Sequence, residues 1–220
     1  MMRELRFGRK GAATPSALVV FLHGYGADGA DLLGLADVLA PHLPGVAFLA
    51  PDAPERCVGG GFGYQWFPIP WIDGSPQAAA DAGLDAAAED LNGFLDARLA
   101  ETGLAADRMA VIGFSQGAMM SLHVTPRRAE SLAGVVAISG RLLRPERLVA
   151  EALVKPPVLL MHGDQDPVVP FDDMGRAGDA LLAAGFPTYG HVMQGTGHGI
   201  APDGLGVALQ FLKERLPLGQ

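Results

Sequence analysis

The pentapeptide Gly-Phe-Ser-Gln-Gly at residues 113–117 places the strongest constraint on how this chain can fold. It follows a short apolar run at 109–112, which is typical of a buried strand, and it precedes a helical pattern that begins at Ala118. A strand that turns directly into a helix strains the residue at the corner and pushes its side chain out of the sheet edge. Glycines are needed two residues to either side because strand and helix approach too closely for a Cβ. The pattern predicts Ser115 as a nucleophile, with a serine in an ordinary glycine-rich turn as the alternative.

The rest of the chain alternates apolar runs with segments of helical periodicity. The apolar runs predict strands, mostly buried on both faces, at 17–22, 46–49, 109–112, 134–139, 158–161 and 188–193. The helical segments lie at 31–39, 84–99, 145–153, 172–184 and 202–216. This alternation predicts an α/β fold with a mainly parallel sheet and helices on both faces. Since the sequence contains no internal repeat or low-complexity linker, we expect one domain over residues 1–220.

The composition limits the classes of partner. Hydrophobic residues make up 49% of the chain and charged residues 18%, as in a globular protein. The net charge of −8 and the lack of a lysine and arginine cluster argue against nucleic acid as a partner. One cysteine, Cys57, excludes a disulfide framework and a multi-cysteine zinc site. No histidine pair has the H-E-x-x-H spacing, so we expect no metal.

The first 24 residues superficially resemble a signal peptide, because basic residues precede an apolar run. Glu4 interrupts the basic part, however, and the run at 17–22 is shorter than a typical signal core. No apolar run approaches the length of a membrane span, so no integral membrane association is expected. The sequence therefore predicts a cytoplasmic protein.

Polar clusters follow three of the predicted strands. His23-Gly-Tyr25-Gly follows the 17–22 strand, HGDQDPVVP with Asp166 follows the 158–161 strand, and QGTGHGI with His198 follows the 188–193 strand. Sites in open parallel sheets form at the carboxyl ends of strands, and the chain order Ser, Asp, His is that of the α/β-hydrolases. Asp164, in the same cluster as Asp166, is an alternative acid.

Ester hydrolysis needs each of these groups. A serine hydroxyl becomes nucleophilic when a base takes its proton, and histidine is the residue type whose ordinary pKa suits that task. An ionised carboxylate fixes the histidine tautomer. Two backbone N–H groups must then meet the oxyanion, and we expect them from Gln116 and Tyr25. His23 and His162 are expected to support their own loops.

Two other classes of function are open. Gly24-Tyr-Gly26-Ala-Asp-Gly29 is a G-x-G-x-x-G after a strand, and Asp52 follows the next strand, as in a dinucleotide-binding oxidoreductase. That hypothesis leaves the serine, aspartate and histidine clusters unexplained. A hydrolase-like binding protein that has lost catalysis is the other alternative.

Several segments together resemble the small bacterial carboxylesterases of the phospholipase/carboxylesterase group, which also includes the acyl-protein thioesterases. They are FLHGYGADGADLL, LAPDAP, the Trp-Phe pair at 66–67, GFSQGA, HGDQDPVVP and GHGI, in the family's order over nearly the whole chain. The resemblance implies an α/β-hydrolase fold without a large cap domain. It also implies Ser115, Asp166 and His198 as the triad, with Tyr25 and Gln116 as oxyanion donors.

The expected activity is therefore hydrolysis of small-molecule, short- to medium-chain carboxylic esters through an acyl-enzyme, without a cofactor. Acyl-protein thioesterase and lysophospholipase activities on the same triad are alternatives, and a homodimer is left open. Many members of the family have an acidic residue after the Trp-aromatic pair, where this chain has Pro68. The acyl preference is therefore open as well.

Residues 57–77 concentrate aromatic side chains in one irregular segment. Such a cluster needs apolar cover or an apolar ligand. Trp66 and Phe67 are predicted to wall an acyl groove beside Ser115, with the alternative that they plug the sheet edge. The glycines at 59–61 would give the segment room to adjust.

Overall fold

A twisted, mainly parallel sheet forms the centre of the computed structural model, which describes residues 2–58 and 62–217. The strands of that part of the chain are β1 Phe7–Gly11, β2 Ala17–Leu22, β3 Val46–Pro51, β4 Glu55–Arg56, β5 Tyr64–Gln65, β6 Met109–Phe114, β7 Gly134–Ile138, β8 Val158–Gly163 and β9 Thr188–Met193. Seven of them form the main sheet in the order β1-β3-β2-β6-β7-β8-β9. Only β1, paired with β3, runs antiparallel in it, and β4 pairs separately with β5. The glycines at 59–61 lie outside the described residues.

Helices cover both faces of this sheet. They are α1 Gly29–Leu33, α2 Leu35–Leu39, α3 Pro70–Asp73, α4 Gln77–Thr102, α5 Gln116–Val124, α6 Leu148–Glu151, α7 Asp172–Ala183 and α8 Pro202–Arg215. Alternate residues of β2 show the two layers: Leu18 and Val20 pack in the cluster that contains α4, whereas Val19 and Phe21 pack with α1, α2 and α8. Alternation with a period of two sends successive side chains to opposite faces. The predicted fold class is confirmed.

Two of the predicted helices differ in detail. The helix expected at 31–39 is two short helices that meet at Gly34, a residue type of low helix propensity. The segment expected as a helix at 145–153 starts at Pro145 with a turn of 3₁₀-helix, and regular α-helix covers only Leu148–Glu151. Among the described helices, none combines the length and the apolar character needed to cross a bilayer.

Candidate active site

Ser115 occupies the turn between β6 and α5, with φ 54° and ψ −116°. A positive φ is strained for a serine, because its Cβ crowds the backbone. The flanking glycines are required by close packing: a Cβ at Gly113 would overlap the carbonyl oxygen of Gly117, and one at Gly117 would overlap that of Leu22. The local sequence therefore holds Ser115 at the carboxyl edge of the sheet, as its motif predicts.

Three loops bring Ser115, His198 and Asp166 into one hydrogen-bonded chain. His198 Nε2 lies 3.0 Å from Ser115 Oγ, and His198 Nδ1 lies 2.7 Å from Asp166 Oδ2. The other carboxylate oxygen, Oδ1, accepts hydrogen bonds from the amides of Val168 and Val169 at 2.8 and 2.9 Å. The strands β6, β8 and β9 end at the same edge of the sheet, and so residues far apart in sequence meet there.

The surroundings of Asp166 keep its carboxyl group ionised. Burial raises the pKa of this carboxyl, but the hydrogen bonds from His198, Val169 and Val168 outweigh burial, and the pKa lies below its ordinary value. An ionised carboxylate can only accept, so Nδ1 of His198 carries the proton. Nε2 is then free to accept from the hydroxyl of Ser115, which is the tautomer that a general base needs.

Asp164, the alternative acid, performs a different task. Its Oδ1 accepts a hydrogen bond from the amide of Gly195 at 2.7 Å, and Gln165 N donates to Thr196 O at 3.0 Å. These contacts tie the loop after β8 to the loop that carries His198. Asp164 makes no hydrogen bond to a histidine within the described residues.

Both predicted oxyanion donors lie beside Ser115. A Cβ built on Gly24 would be 3.2 Å from the Cβ of Ser115, so the loop after β2 approaches the serine closely, and Tyr25 follows in that loop. Gln116 is the first residue of α5, where backbone N–H groups have no partner within the helix. Gln116 thus adjoins Ser115 in the chain, and Tyr25 lies in the loop that packs against the serine.

His23 supports this loop, as predicted. Its Nε2 lies 2.9 Å from the amide nitrogen of Ala53, from which it accepts, and its Nδ1 donates to Gly24 O at 2.7 Å. Burial lowers the pKa of His23, so the imidazole is neutral near pH 7. His162 is also buried, and its Nε2 lies 3.0 Å from Val169 O and 3.3 Å from Asp166 Oδ2.

The glycine-rich loop does not fit a dinucleotide. In that class of site, the helix N-terminus binds a pyrophosphate and an acidic residue binds the ribose. Here the amide of Gly29 donates to Asp52 Oδ1 at 3.0 Å, and Asp52 Oδ2 lies 3.3 Å from an amino nitrogen of Arg6. Asp28 caps the five-residue helix α1 by accepting from Asp31 N. The chain's own carboxylates occupy the positions that the cofactor needs.

Trp66 and Phe67 lie below the site, in the core, and this corrects the prediction that they wall an acyl groove. Both side chains are buried. The indole Nε1 of Trp66 donates to His23 O at 3.0 Å, so this tryptophan supports the loop of Tyr25 from beneath. A buried indole needs a partner for its N–H, and that carbonyl supplies it.

A cavity of about 150 Å³ opens beside Ser115 and His198. Its apolar wall consists of Ile69, Trp71, Ile72, Met119, Val168 and Val169. Tyr25 and Arg141 complete the lining. The lining of a larger depression of about 660 Å³ between α7 and β9 does not include Ser115, Asp166 or His198.

The cavity wall has a buried part and an exposed part. Ile69, Met119 and Val169 are buried, whereas Trp71 and Val168 are more than half exposed. Sequence analysis selected Trp66 and Phe67 from the aromatic segment at 57–77 and passed over Trp71 of the same segment. Val168 lies in HGDQDPVVP, but the pattern does not indicate that its side chain lines a cavity with Ser115.

Within residues 2–58 and 62–217, no three histidine, cysteine, aspartate or glutamate side chains lie close enough together to hold a metal ion.

Comparison with known proteins gives a consistent result. A family model described as phospholipase/carboxylesterase matches residues 9–216. Acyl-protein thioesterase 1 homolog 1 of Dictyostelium discoideum is 31% identical over 216 residues, which are 95% of each chain. A probable carboxylesterase of Oryza sativa subsp. japonica is 33% identical and covers 95% of this chain and 81% of its own. The crystal structure of esterase PE8 has a TM-score of 0.91 at 42% identity and covers 97% of this chain and all of that one.

Proposed function

The chain belongs to the phospholipase/carboxylesterase family and is a carboxylic ester hydrolase, and we propose that Ser115, His198 and Asp166 are its catalytic triad. The observation that carries this proposal is the hydrogen-bonded chain from Ser115 Oγ through His198 to Asp166. The proposed substrates are small-molecule esters of short to medium acyl chains, because the cavity beside Ser115 is small and its wall largely apolar.

In the proposed mechanism, Ser115 Oγ attacks the ester carbonyl carbon while its proton passes to His198 Nε2. The amides of Tyr25 and Gln116 stabilise the oxyanion of the tetrahedral intermediate. Collapse of that intermediate breaks the bond to the alcohol, which leaves with the proton from His198. His198 then deprotonates a water molecule, which attacks the acyl-enzyme and releases the acid and free Ser115. Asp166 stays ionised and stabilises the imidazolium of His198 during both acylation and deacylation.

The same chemistry accepts a thiol as the leaving group. The Dictyostelium relative is named an acyl-protein thioesterase, so thioester hydrolysis is the second candidate activity, with lysophospholipids as a third substrate class. An acyl-length series on oxygen esters and on matched thioesters would rank these substrate classes by kcat/KM.

The proposed nucleophile is tested by covalent labelling. A fluorophosphonate probe should modify Ser115, and Ser115→Ala should abolish turnover of p-nitrophenyl acetate. Ser121→Ala is the matched control, because Ser121 is a buried serine of α5 whose Oγ donates to Ala118 O at 2.8 Å. Labelling at another residue, or full activity in Ser115→Ala, would contradict the proposal. The same result separates an esterase from a binding protein without catalysis, and an NADH titration tests the oxidoreductase.

The proposal also covers organisation and location. We propose one domain over residues 1–220, which a single cooperative unfolding transition would support. We propose a cytoplasmic location, testable by cell fractionation, which fits the free thiol of Cys57. The net charge of −8 supports the expectation that nucleic acid is not a partner. A homodimer is left to measurement by light scattering.

A further inference from the structure

One residue of the cavity beside Ser115 carries a formal positive charge: Arg141. It follows Gly140, which packs closely against the turn between β6 and α5. A Cβ on Gly140 would be 2.9 Å from the carbonyl oxygen of Ser115. The guanidinium carbon of Arg141 lies 4.9 Å from the centre of the Trp71 ring, at the exposed side of the cavity. The cation therefore lies against an aromatic face in the lining of the cavity that also contains Ser115.

Within the described part of the chain, Arg141 shares its carboxylate partner with a second arginine. Its Nη2 lies 2.8 Å from Asp173 Oδ2, while Nη1 of Arg176 lies 3.2 Å from Asp173 Oδ1. Two guanidinium groups thus share one carboxylate, which leaves this group of three residues with a net positive charge. Nε of Arg141 is buried and has no hydrogen-bond partner among the described residues. A guanidinium group has five N–H donors and the Arg141 side chain is 32% exposed, so donors remain for a ligand.

From these observations we infer that Arg141 binds an anionic group of the substrate. The preferred substrates are then esters that carry a carboxylate within a few bonds of the ester that is cleaved. Arginine pairs with carboxylates through strong, charge-assisted hydrogen bonds. In a cavity with an otherwise apolar wall, the same carboxylate without a partner would be strongly disfavoured. This inference rests on the proposed function, since it assigns a substrate class to the same site.

The test compares pairs of substrates in which an isopropyl group replaces the carboxylate at nearly equal size. For an anionic group on the acyl side, the pair is monoethyl succinate and ethyl 4-methylpentanoate. For an anionic group on the alcohol side, the pair is acetoxyacetate and isobutyl acetate. The readout is the ratio of kcat/KM for the anionic ester to kcat/KM for the neutral ester, measured by product analysis in wild type, Arg141→Met, Arg141→Lys and Arg176→Met.

Arg176→Met is the matched control, because Arg176 contacts the same carboxylate but is absent from the cavity lining and its side chain is 73% exposed. We expect the wild type to favour the anionic ester in at least one pair, and that pair identifies the side on which the anion lies. Arg141→Met should lower that ratio about tenfold or more, the size expected for a lost charge-assisted hydrogen bond. Arg141→Lys should retain part of the preference, and Arg176→Met should retain all of it.

A wild-type preference for the neutral ester in both pairs would overturn the inference. An equal loss of preference in Arg141→Met and Arg176→Met would also overturn it, because Arg141 would then act only through Asp173. Failure of the underlying function has a different signature: Ser115→Ala would still hydrolyse the neutral esters.

Discussion

The side chain of Gln116 holds the backbone of Trp66 in place: Oε1 of the glutamine accepts a hydrogen bond from the tryptophan amide at 2.9 Å. Its Nε2 donates to the carbonyl oxygen of Phe67 at 2.7 Å. All of these atoms are buried. The side chain of the residue after the proposed nucleophile therefore fixes the backbone of the aromatic segment, while its backbone N–H is the oxyanion donor proposed above.

Removing the side-chain amide of Gln116 should destabilise the fold. Gln116→Met leaves the amide of Trp66 and the carbonyl of Phe67 buried without partners, so the free energy of unfolding should fall by roughly 2–4 kcal/mol. The control is Gln210→Met, since Gln210 is exposed and its side chain bonds only Glu214 among the described residues. Urea denaturation measures both variants. Equal stability of the two would show that the buried hydrogen bonds contribute nothing.

The two aspartates of the HGDQDPVVP segment should differ sharply in their effect on catalysis. Asp166→Asn should lower kcat by about 10³–10⁴, by analogy with the loss of the productive histidine tautomer in other serine hydrolases. Asp164→Asn keeps a side-chain oxygen that can accept from Gly195, so its kcat should stay within a few-fold of wild type. Steady-state kinetics on p-nitrophenyl acetate gives both values. The reverse ranking would transfer the role of the acid to Asp164.

His123 should make the stability of the protein depend on pH. Burial, with the nearby charges of Arg127 and Arg144, lowers the pKa of His123 to about 4, from 6.5. Between these pH values the unfolded chain binds a proton that the folded protein does not, so stability falls as the pH drops from 6.5 towards 4. At pH 4 the free energy of unfolding of the wild type should have fallen by roughly 2–3 kcal/mol more than that of His123→Gln.

Urea denaturation at a series of pH values measures this dependence. His42→Gln serves as the control, because His42 is exposed. If wild type and His123→Gln lose stability in parallel on acidification, His123 is not the group responsible.

Substitution of Trp66 should mainly change the stability of the protein, whereas substitution of Trp71 should mainly change its substrate specificity. Trp66→Ala removes a fully buried side chain and should lower the free energy of unfolding by about 3–5 kcal/mol. Trp71 is 59% exposed at the edge of the cavity, so Trp71→Ala should change stability little. It should instead flatten the dependence of kcat/KM on acyl length, in which each buried methylene adds at most ~0.8 kcal/mol. An unchanged acyl-length profile in Trp71→Ala would remove this residue from the acyl site.

The sequence predicted the parts of the molecule that depend on local patterns. The apolar runs placed β2, β3, β6, β7 and β8 to within a few residues, because a strand buried on both faces needs an uninterrupted apolar run. The residues of the proposed triad were found by the same reasoning, since Ser115, Asp166 and His198 lie in the segments that follow β6, β8 and β9. Parallel strands end at the same edge of the sheet, so polar side chains in the segments that follow them lie close together.

The lining of the cavity depends on how loops fold back, and local patterns do not encode that. Trp66 and Trp71 lie five residues apart in the same aromatic segment, yet one is in the core and the other at the surface. The difference comes from long-range partners. Gln116 and His23 take the polar groups of Trp66, and α3 carries Trp71 outward to Arg141. Likewise, the role of Asp52 at Gly29 depends on a contact across 23 positions of the chain.

The backbone of Ser115 has a consequence for how such a chain changes over generations. Glycine adopts a positive φ without strain, whereas other residues in sparsely populated conformations bear roughly 1–3 kcal/mol. With Ser115 as the proposed nucleophile, a mutation from serine to glycine at this position would relax the turn and yield a more stable protein without activity. Selection for folding alone favours that exchange, so the strained serine at this position agrees with the chemical role proposed for Ser115.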